Sequence, residues 1–341
     1  MSSFFPARRH TAAAATLLCL FTGSVTGQEL IAITEENFAA AETAKNFRNW
    51  ASRGANKGVA HMRQLPPRGK AAPTIQMNDD TLYSAVITEA DEQGQITFTI
   101  PETDVYMAVQ VVNEGGHGQH YIVTDGQHTV DVDSRHAFLI YRSGMEKGIE
   151  SARSAQKLIP EDTFIFGTYD IKPYDYDELE QWVERYREET RDYVLDYTFP
   201  SSARDITDRH QWNLENANGW GGAPPIVGVA NKYTNSVFID GGTCYQTTFE
   251  DPKSVYFTSV TAYDNDRYLI EGAGNVNSHS WTVNDDGTIT VSFNCGENAV
   301  NNIDTQGQRF SFTMRYYGVS QAVVDGKISP TSSVVPGTPA S

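Results

Sequence analysis

The chain has 341 residues, which is enough for one large domain or two medium domains with cores of their own. Acidic residues outnumber basic residues by 43 to 26, so the formal net charge is −17. Such a negative field repels nucleic acid and anionic membrane surfaces, and the sequence therefore excludes both as partners.

The first 27 residues differ from the rest of the chain. Arg8 and Arg9 form a short positive region, an apolar run covers 11–21, and small residues follow it. This pattern predicts a secretory signal peptide that is cut before Gln28. The apolar run is too short to span a bilayer, and no later segment is long and apolar enough to do so. We therefore expect an exported protein, either periplasmic or secreted, with no membrane span.

Two cysteines, Cys244 and Cys295, follow the predicted cleavage site. An even pair in an exported chain indicates one disulfide, and the alternative is a pair of free buried thiols. A disulfide would close a loop of about 50 residues, for which the chain-entropy model gives roughly 4 kcal/mol.

The first half of the chain changes from a helical to a strand period. Helical spacing predicts a helix over 33–52, and a Pro- and Gly-rich connector follows, so that 28–72 forms an N-terminal helix and linker. Residues 95–100 alternate, with Ile96, Phe98 and Ile100 on one face. Further strands are expected at 105–112 and 136–142, and together these strands make a β domain over 73–160.

Helical patterns at 145–159 and 176–197 follow these strands, and residues 161–230 form a helical and loop connector. Short strands with turn signals then recur over 231–330, which indicates a second β domain. Residues 331–341 are expected to form a disordered tail. The fold class is therefore mainly β, with two β-sandwich or jelly-roll-like domains that carry helical insertions.

Two blocks of sequence resemble a known family. The first block contains Asn78-Asp-Asp-Thr-Leu-Tyr-Ser84, the strand region 100–113, Arg142 and Gln156; the second contains Ser259-Val-Thr-Ala-Tyr-Asp264, Asn284-Asp-Asp-Gly-Thr-Ile289, Arg315-Tyr-Tyr-Gly318, Asp325-Gly326 and Pro330. In this order they resemble the paired DUF1254 and DUF1214 domains of exported bacterial proteins, over most of 35–330. The resemblance implies sandwich or jelly-roll domains and an exported location, but no agreed reaction. This chain departs from the family in having Thr258-Ser259 where Trp-Ser is usual.

Four of the eight histidines, His117, His120, His128 and His136, lie within 22 residues. Asp125-Gly126 predicts a two-residue hairpin turn that places His120 opposite Asp131, where the carboxylate would orient the imidazole and raise its pKa. His120 and Asp131 are thus candidate catalytic residues. His117, in a Gly-rich loop, is a candidate ligand-binding residue.

Three interpretations of this stretch stay open. The histidines are ordinary surface or interstrand residues, they are a histidine general base with its partner, or His117, His120 and a carboxylate such as Asp131 hold a metal. Because the tight spacing of metal ligands is missing, we predict neither a metal nor a cofactor.

The Asn78–Ser84 block contains a second candidate site. Asp80 is a candidate base or hydrogen-bond acceptor, and Tyr83 a donor or stacking group; the alternative is a set of Asx turns. Arg142 and Arg315 each end an apolar strand, and a buried arginine needs a carboxylate, for which Asp80 is a plausible partner. Trp220, in a Gly-rich loop, is suited to stacking on a sugar or to core packing.

The sequence supports three hypotheses on function. The first is an exported protein that binds a small molecule or a glycan between its two β domains. The alternative is a hydrolase of glycan or amide bonds that uses Asp80 with His120 as an acid–base pair. A third is a purely structural envelope protein. The sequence does not predict an oligomeric state.

Overall fold

The computed structural model describes residues 29–72, 74–191, 199–220, 223, 226–272 and 274–340, together with the backbone of 195–197. The predicted signal peptide lies outside these residues. No helix within the described ranges is both long and apolar enough to cross a membrane.

The described part of the chain is mainly β, with the helices as a minor component. The helices are α1 Phe38–Ala51, α2 Ile149–Lys157, α3 Tyr176–Glu189, α4 Arg209–Asn218 and α5 Gln321–Val324. The strands are β1 Ala60–His61, β2 Thr81–Glu89, β3 Gln95–Ile100, β4 Met107–Asn113, β5 Gly118–Ile122, β6 Gly126–Asp131, β7 His136–Gly144, β8 Leu195–Tyr197, β9 Asn231–Asn235, β10 Tyr245–Glu250, β11 Phe257–Tyr263, β12 Asn275–Asn277, β13 Thr288–Phe293, β14 Asn302–Ile303, β15 Ser311–Tyr317 and β16 Val335–Pro336.

The N-terminal β region is built on sheet I, whose strand order is β1-β2-β7-β4-β5. Successive side chains of a strand point to opposite faces. One face of sheet I, with Val86, Val109 and Leu139, packs on the β3–β6 pair, where Ile96, Phe98 and Ile100 are buried as predicted. Its other face carries Ala85, Phe138 and Ile140, which pack against the second half of α1. The strand β7 is buried throughout because both faces of the sheet are covered.

The C-terminal β region is a two-sheet sandwich. Sheet II has the order β12-β11-β15-β9-β8, and sheet III the order β14-β13-β10-β16. Even-numbered residues of β11 and β15, such as Val260, Phe312 and Met314, meet Ile289 and Val291 of β13 in the core between the two sheets. The odd-numbered residues therefore lie on the other face of sheet II, toward the helices and sheet I.

Helix α1 joins the two regions. Phe38, Ala41 and Ala44 pack with α3, α4 and the odd face of sheet II, whereas Phe47 packs with sheet I. Polar contacts reinforce this junction: Tyr263 donates to the Met77 carbonyl over 2.8 Å, and the Gln76 amide donates to the Arg267 carbonyl over 2.9 Å. The segment 74–80 thus lies against sheet II before the chain continues into β2 of sheet I.

The predicted disulfide is confirmed, because Cys244 and Cys295 are bonded. The predicted disordered tail is wrong over its described residues 331–340. There β16 pairs with β10, and the Ala340 amide donates to the Cys295 carbonyl over 2.7 Å. The open edge of β10 gives this polar segment hydrogen-bonding partners that its composition does not reveal.

The predicted hairpin around Asp125-Gly126 is also wrong. β5 pairs with β4, and β6 pairs with β3, so His120 and Asp131 are not cross-strand neighbours. The apolar face of β3 needs a partner strand, and β6 supplies it: Phe98 lies opposite His128, with ring centroids 5.6 Å apart. Because loop closure becomes more costly only slowly with length, this longer-range pairing wins over the local turn signal.

Candidate functional site

A cavity of about 400 Å³ lies between sheet I, sheet II and the helices. Sheet I faces it with the side that carries Ala85, Phe138 and Ile140, and sheet II faces it with its odd-numbered residues. This volume lies within the range of small-molecule sites. Four of the residues predicted to bind a ligand line it, namely Tyr83, Arg142, Trp220 and Arg315. Other lining residues are Lys45, Trp50, Met62, Gln76, Asn78, Ala85, Phe138, Ile140, Glu180, Arg187, Tyr233 and Thr313.

The wall from sheet I changes from polar to apolar along two paired strands. Tyr83 of β2 lies opposite Arg142 of β7, and Ala85 lies opposite Ile140. Because every second residue faces the same side, Phe138 follows Ile140 on this wall. The guanidinium end of the wall and its aromatic end are thus separated by one row of small and aliphatic side chains.

The wall from sheet II is polar at its centre. Arg315 of β15 lies opposite Tyr233 of β9 and opposite Ser259 of β11, so all three side chains lie on the odd face. Thr313 follows Arg315 on the same face. The structure therefore brings one buried arginine from each sheet, Arg142 and Arg315, to the same cavity, each only 2% exposed.

Arg142 has few polar partners. Its Nη2 donates to Gln110 Oε1 over 2.8 Å, while its Nε and Nη1 have no hydrogen-bond acceptor among the described residues. Its guanidinium lies 5.9 Å from the Tyr83 ring centroid and 5.6 Å from that of Tyr121. Within the described chain no carboxylate forms an ion pair with it. Arg142 is therefore a buried cation whose charge the described residues do not balance.

The tyrosines around Arg142 do not supply a negative charge at neutral pH. Burial raises the pKa of Tyr121 to about 12, and burial likewise raises the pKa of Tyr106, whose hydroxyl lies 2.8 Å from that of Tyr121. Burial also raises the pKa of Tyr83, whereas the guanidinium groups of Arg142 and Arg315 lower it. Both positive charges thus lie close enough to this phenol to act on its pKa, and both arginines line the cavity.

Arg315 is held more completely. Its Nη1 donates to Thr261 Oγ1 over 3.0 Å, and its Nη2 donates to the Gln76 carbonyl over 3.0 Å and to the Tyr263 hydroxyl. Its Nε has no acceptor within the described ranges. The partner carbonyl of Gln76 belongs to the segment that precedes β2, so Arg315 joins the two β regions as well as lining the cavity.

Asp80 is not a lining residue of the cavity, and it accepts hydrogen bonds from side chains of sheet II. Ser259 Oγ donates to Asp80 Oδ2 over 2.5 Å, and Asn275 Nδ2 donates to Oδ1. Burial raises the pKa of Asp80 to about 6, although the nearby charge of Arg315 and these hydrogen bonds lower it. The predicted ion pair of Asp80 with an arginine is therefore not a direct contact: Asp80 is an electrostatic neighbour of Arg315, while its oxygens bind Ser259 and Asn275.

The Asx-turn interpretation of the Asn78–Ser84 block is confirmed for Asn78. The amides of Asp80 and Thr81 both donate to Asn78 Oδ1, the latter over 3.3 Å. The Asn78 amide group in turn donates to the Tyr317 hydroxyl of sheet II. This turn therefore fixes the start of β2 on the other β region and positions Tyr83 two residues further along the strand.

Charged side chains nearer α1 and α3 also line the cavity and have partners of several kinds. Lys45 contacts both Glu42 and Glu180, the latter over 3.2 Å. Arg187 Nε donates to the Ala217 carbonyl over 2.8 Å, and Arg48 lies 3.8 Å from the Tyr176 ring centroid. Among the arginines that line the cavity, Arg142 is thus the one with two buried guanidinium nitrogens that lack an acceptor within the described residues.

Trp220 lines the aromatic end of the cavity, as predicted, but as a packed residue. Its ring meets Phe138 and Phe199 edge to face, at centroid distances of 5.2 and 5.4 Å, and its Nε1 donates to Thr43 Oγ1 over 3.2 Å. Trp50 packs on the other side of Phe138 at 6.1 Å. These contacts engage the indole of Trp220 and leave an apolar wall rather than a sugar-stacking platform.

The predicted acid–base pair of Asp80 and His120 is wrong in its geometry. His120 lies opposite Val111, on the core face of sheet I, whereas Tyr121 lies opposite Gln110 on the cavity side. Strands β2 and β5 are also three strand spacings apart in sheet I, which is about 14 Å. His120 therefore cannot exchange a proton with Asp80.

Asp131 does not orient His120 through its carboxylate. His120 Nε2 contacts the backbone carbonyl of Asp131 over 2.7 Å, and the Asp131 carboxylate accepts from Gln95 Nε2 over 2.8 Å. Asp131 is exposed at the end of β6, away from the cavity wall. The predicted imidazole–carboxylate pair failed because it depended on the β5–β6 hairpin, which does not form.

His117 also lies outside the cavity lining. Its ring stacks on Trp212 at 5.8 Å, and its Nδ1 lies 3.2 Å from Asn113 Nδ2. Burial lowers the pKa of His117. No group of three or more His, Cys, Asp or Glu side chains within the described residues is arranged to hold a metal ion. Of the three interpretations, ordinary surface or interstrand residues comes nearest to these contacts, although His117 packs on Trp212.

Some residues of the site were missed by sequence reasoning. Tyr233 lies in a polar stretch, Asn-Lys-Tyr-Thr-Asn, that lacks the apolar alternation of a strand, and Gln110 lies inside an apolar one. A polar residue within a buried strand is itself a signal, because a buried amide requires partners. That signal could have singled out Gln110 as the neighbour of an arginine.

The arrangement defines a mainly β protein with several packed sheets and a cavity between its two β regions. No protein-family model matches the chain, and no curated protein matches it either. It is similar to a crystal structure of a Vibrio parahaemolyticus protein at a TM-score of 0.61, with 17% identity, 89% of this chain covered and 98% of that chain. At this identity the likeness shows the fold alone.

A second solved structure, an uncharacterized protein from Burkholderia cenocepacia, matches at a TM-score of 0.47 and 13% identity, over 89% of this chain and 88% of that chain. This score is too low to support a conclusion. The functional argument therefore depends on the cavity of this chain.

Proposed function

We propose that the protein binds a small molecule in the cavity between sheets I and II. The observation that carries the proposal is the convergence of two arginines, each 2% exposed, on one cavity of about 400 Å³. Buried charges are normally neutralised by a partner, so polar groups that converge on a cavity of ligand size favour a binding site.

We extend the proposal to location and family. The N-terminal pattern around Arg8 and Arg9 supports export, and one disulfide is in keeping with an oxidising compartment. The resemblance to the DUF1254 and DUF1214 domains supports the same location. Amino-terminal sequencing of the protein recovered from its native host checks this: a start at Gln28 supports export, and a start at Met1 contradicts it.

A small molecule is favoured over a glycan by the state of the aromatic residues. Trp220 packs edge to face with two phenylalanines instead of presenting an open face. Hydrolysis by Asp80 with His120 is not supported, since Asp80 precedes β2 and His120 lies on β5, three strand spacings away in sheet I. Binding without turnover is the simpler function for the cavity.

The proposal is tested by a broad thermal-shift screen that includes neutral, cationic, anionic and sugar compounds. Hits are repeated on Ala85→Phe, which adds a ring to the cavity wall opposite Ile140. We expect at least one compound to raise the melting temperature of the wild type and to lose its effect in this variant. A variant with a matched change on the exposed side of the β3–β6 pair, Thr97→Phe, is the control and should keep the response.

If no compound gives a saturable shift, or if Ala85→Phe responds as the wild type does while remaining folded, the cavity is not a binding site. The fold of each variant is checked by its unliganded melting curve. The structural alternative then becomes the better explanation.

A further inference from the structure

We propose that the ligand is an organic carboxylate with an apolar body, held by Arg142 and Arg315 at its head and by the Ile140–Phe138 row along its body. This inference rests on the proposed function, because it names the class of ligand for the same cavity. Three observations carry it: the unbalanced charge, the polarity of the wall and its length.

The first observation is the surplus of positive charge at one end of the cavity. Arg142 Nε and Nη1 are both free to donate, as is Arg315 Nε, within the described part of the chain. A guanidinium offers adjacent N–H groups in a planar fork that matches the two oxygens of a carboxylate. The carboxylate of Asp80 accepts from Ser259 and Asn275, and no hydrogen bond joins it to Arg142 within the described residues.

The second observation is that the wall beyond the arginine is apolar. Ala85 and Ile140 are paired across β2 and β7, and Phe138 comes next on the same face. These three side chains belong to one apolar cluster together with Trp50 and Trp220. A highly hydrated anion such as phosphate or a dicarboxylate would leave this wall without a partner, whereas an alkyl or aryl body would cover it.

The third observation is the distance between the two ends. Arg142 and Phe138 are four residues apart on one strand, which is about 13 Å. A short acid such as acetate would occupy only the arginine end. The distance between the two ends fits a medium-length alkyl or aryl carboxylate. The cavity volume of about 400 Å³ leaves room for one such molecule.

The test compares carboxylates with their neutral amides. Octanoate and 4-phenylbutyrate are titrated beside octanamide and 4-phenylbutanamide, by calorimetry and by tryptophan fluorescence. We expect the carboxylates to bind at least about 10-fold more tightly than the amides, since a hydrogen bond to a charged group is worth more than a neutral one. Acetate, which lacks the body, should bind more weakly than either acid.

Two variants assign the contacts. Arg142→Met should weaken carboxylate binding by about 10- to 100-fold and leave amide binding unchanged, because it removes the charge and keeps an apolar stem. Arg135→Met removes an exposed guanidinium just before the same strand and is the charge-matched control. Ile140→Thr, which adds a hydroxyl to the apolar wall, should weaken octanoate several-fold without affecting acetate.

Each outcome decides the matter. Equal binding of amides and acids, with both lost in Ala85→Phe, overturns the anion class and leaves the proposed binding function intact. Carboxylate binding that survives Arg142→Met overturns the assigned head group, and binding that is indifferent to Ile140→Thr overturns the assigned body. If neither these probes nor any compound of the broad screen binds, the inference falls together with the proposed function.

Discussion

The two arginines of the cavity are equally buried but differently held. Arg315 of sheet II has partners on both nitrogens Nη1 and Nη2, from strand β11 and from the segment around Gln76, and it is an electrostatic neighbour of the Asp80 carboxylate. Among the described residues, Arg142 of sheet I has one hydrogen bond, to Gln110, and its guanidinium lies near the rings of Tyr83 and Tyr121. Both arginines are thus 2% exposed, but Arg315 is hydrogen-bonded into the fold, whereas two nitrogens of Arg142 lack an acceptor among the described residues.

This difference shows which buried charge stabilises the fold and which one serves another purpose. Removing one partner of a satisfied buried network is costly, because the remaining groups lose their partners. Replacing a buried charge that lacks a counter-charge returns its desolvation energy and is close to neutral or stabilising. Residues that stability alone does not explain are typical of binding sites.

The largest effect is expected for Arg315→Met. It removes the hydrogen bonds to Thr261, Tyr263 and the Gln76 carbonyl and leaves Asp80 buried without its nearest cation. We expect a loss of about 3–5 kcal/mol in the free energy of unfolding, measured by urea denaturation with the disulfide intact.

The double variant Arg315→Met/Asp80→Asn is the control for this mechanism. It removes the orphaned carboxylate, so its loss should be smaller than the sum of the two single losses by about 1 kcal/mol or more. Strict additivity would contradict the electrostatic coupling of Asp80 with Arg315.

A pH-dependent effect is expected for Asp80→Asn. The folded pKa of Asp80 is about 6, above the ordinary value of 3.8, so the folded state holds the proton more tightly than the unfolded state. The stability that this proton contributes is complete below about pH 4 and is lost as the pH rises through about 6. Its size is of order 3 kcal/mol.

The measurement is the unfolding free energy of wild type and Asp80→Asn between pH 3.5 and 8. Subtracting the two curves cancels groups that both proteins share, such as Glu42. The difference, wild type minus variant, should fall across the window between about pH 4 and 6 and stay flat above about pH 7. A flat difference throughout would mean that folding does not change the pKa of Asp80.

The sequence predicted the elements of this comparison better than their arrangement. Ile96, Phe98 and Ile100 were placed on one face correctly, because alternation is a local property of the strand. Arg142 and Arg315 were chosen because each ends an apolar strand, and the cavity lies where both are found. Their unequal partners depend on contacts over long sequence distances, such as that of Arg315 with Gln76, which no local pattern encodes.

The same limit explains the failed acid–base pair. Asp125-Gly126 is a strong local signal for a hairpin, and it predicted that His120 faces Asp131. In the structure β6 pairs with β3 and is not part of sheet I, because the apolar face of β3 must be covered. Strand pairing is decided by such non-local burial, and a single changed pairing removed every side-chain relation that depended on the hairpin.

A smaller effect is expected for Ser259→Ala. Ser259 donates to Asp80 over 2.5 Å, and a hydrogen bond to a charged acceptor contributes about 1.5–3 kcal/mol. We expect a loss of that size at pH 8, where Asp80 is ionised, and a smaller loss at pH 4.5. Ser236→Ala, at a buried hydroxyl bound to backbone groups, is the matched control and should be insensitive to pH. An equal loss for Ser259→Ala at both pH values would mean that the contribution of this hydrogen bond does not depend on the charge of Asp80.

The smallest effect, and the one that decides the comparison, is expected for Arg142→Met without any added ligand. The variant loses one hydrogen bond to Gln110 but also removes a buried charge without a carboxylate partner, while the new side chain still packs between Tyr83 and Tyr121. The two changes oppose each other, so the free energy of unfolding should stay within about 1 kcal/mol of the wild type or rise above it. Urea denaturation beside Arg315→Met measures this directly. If Arg142→Met instead loses 3 kcal/mol or more, the folded chain itself balances the charge of Arg142, both arginines belong to the framework, and the reason for expecting an anion at this end of the cavity disappears.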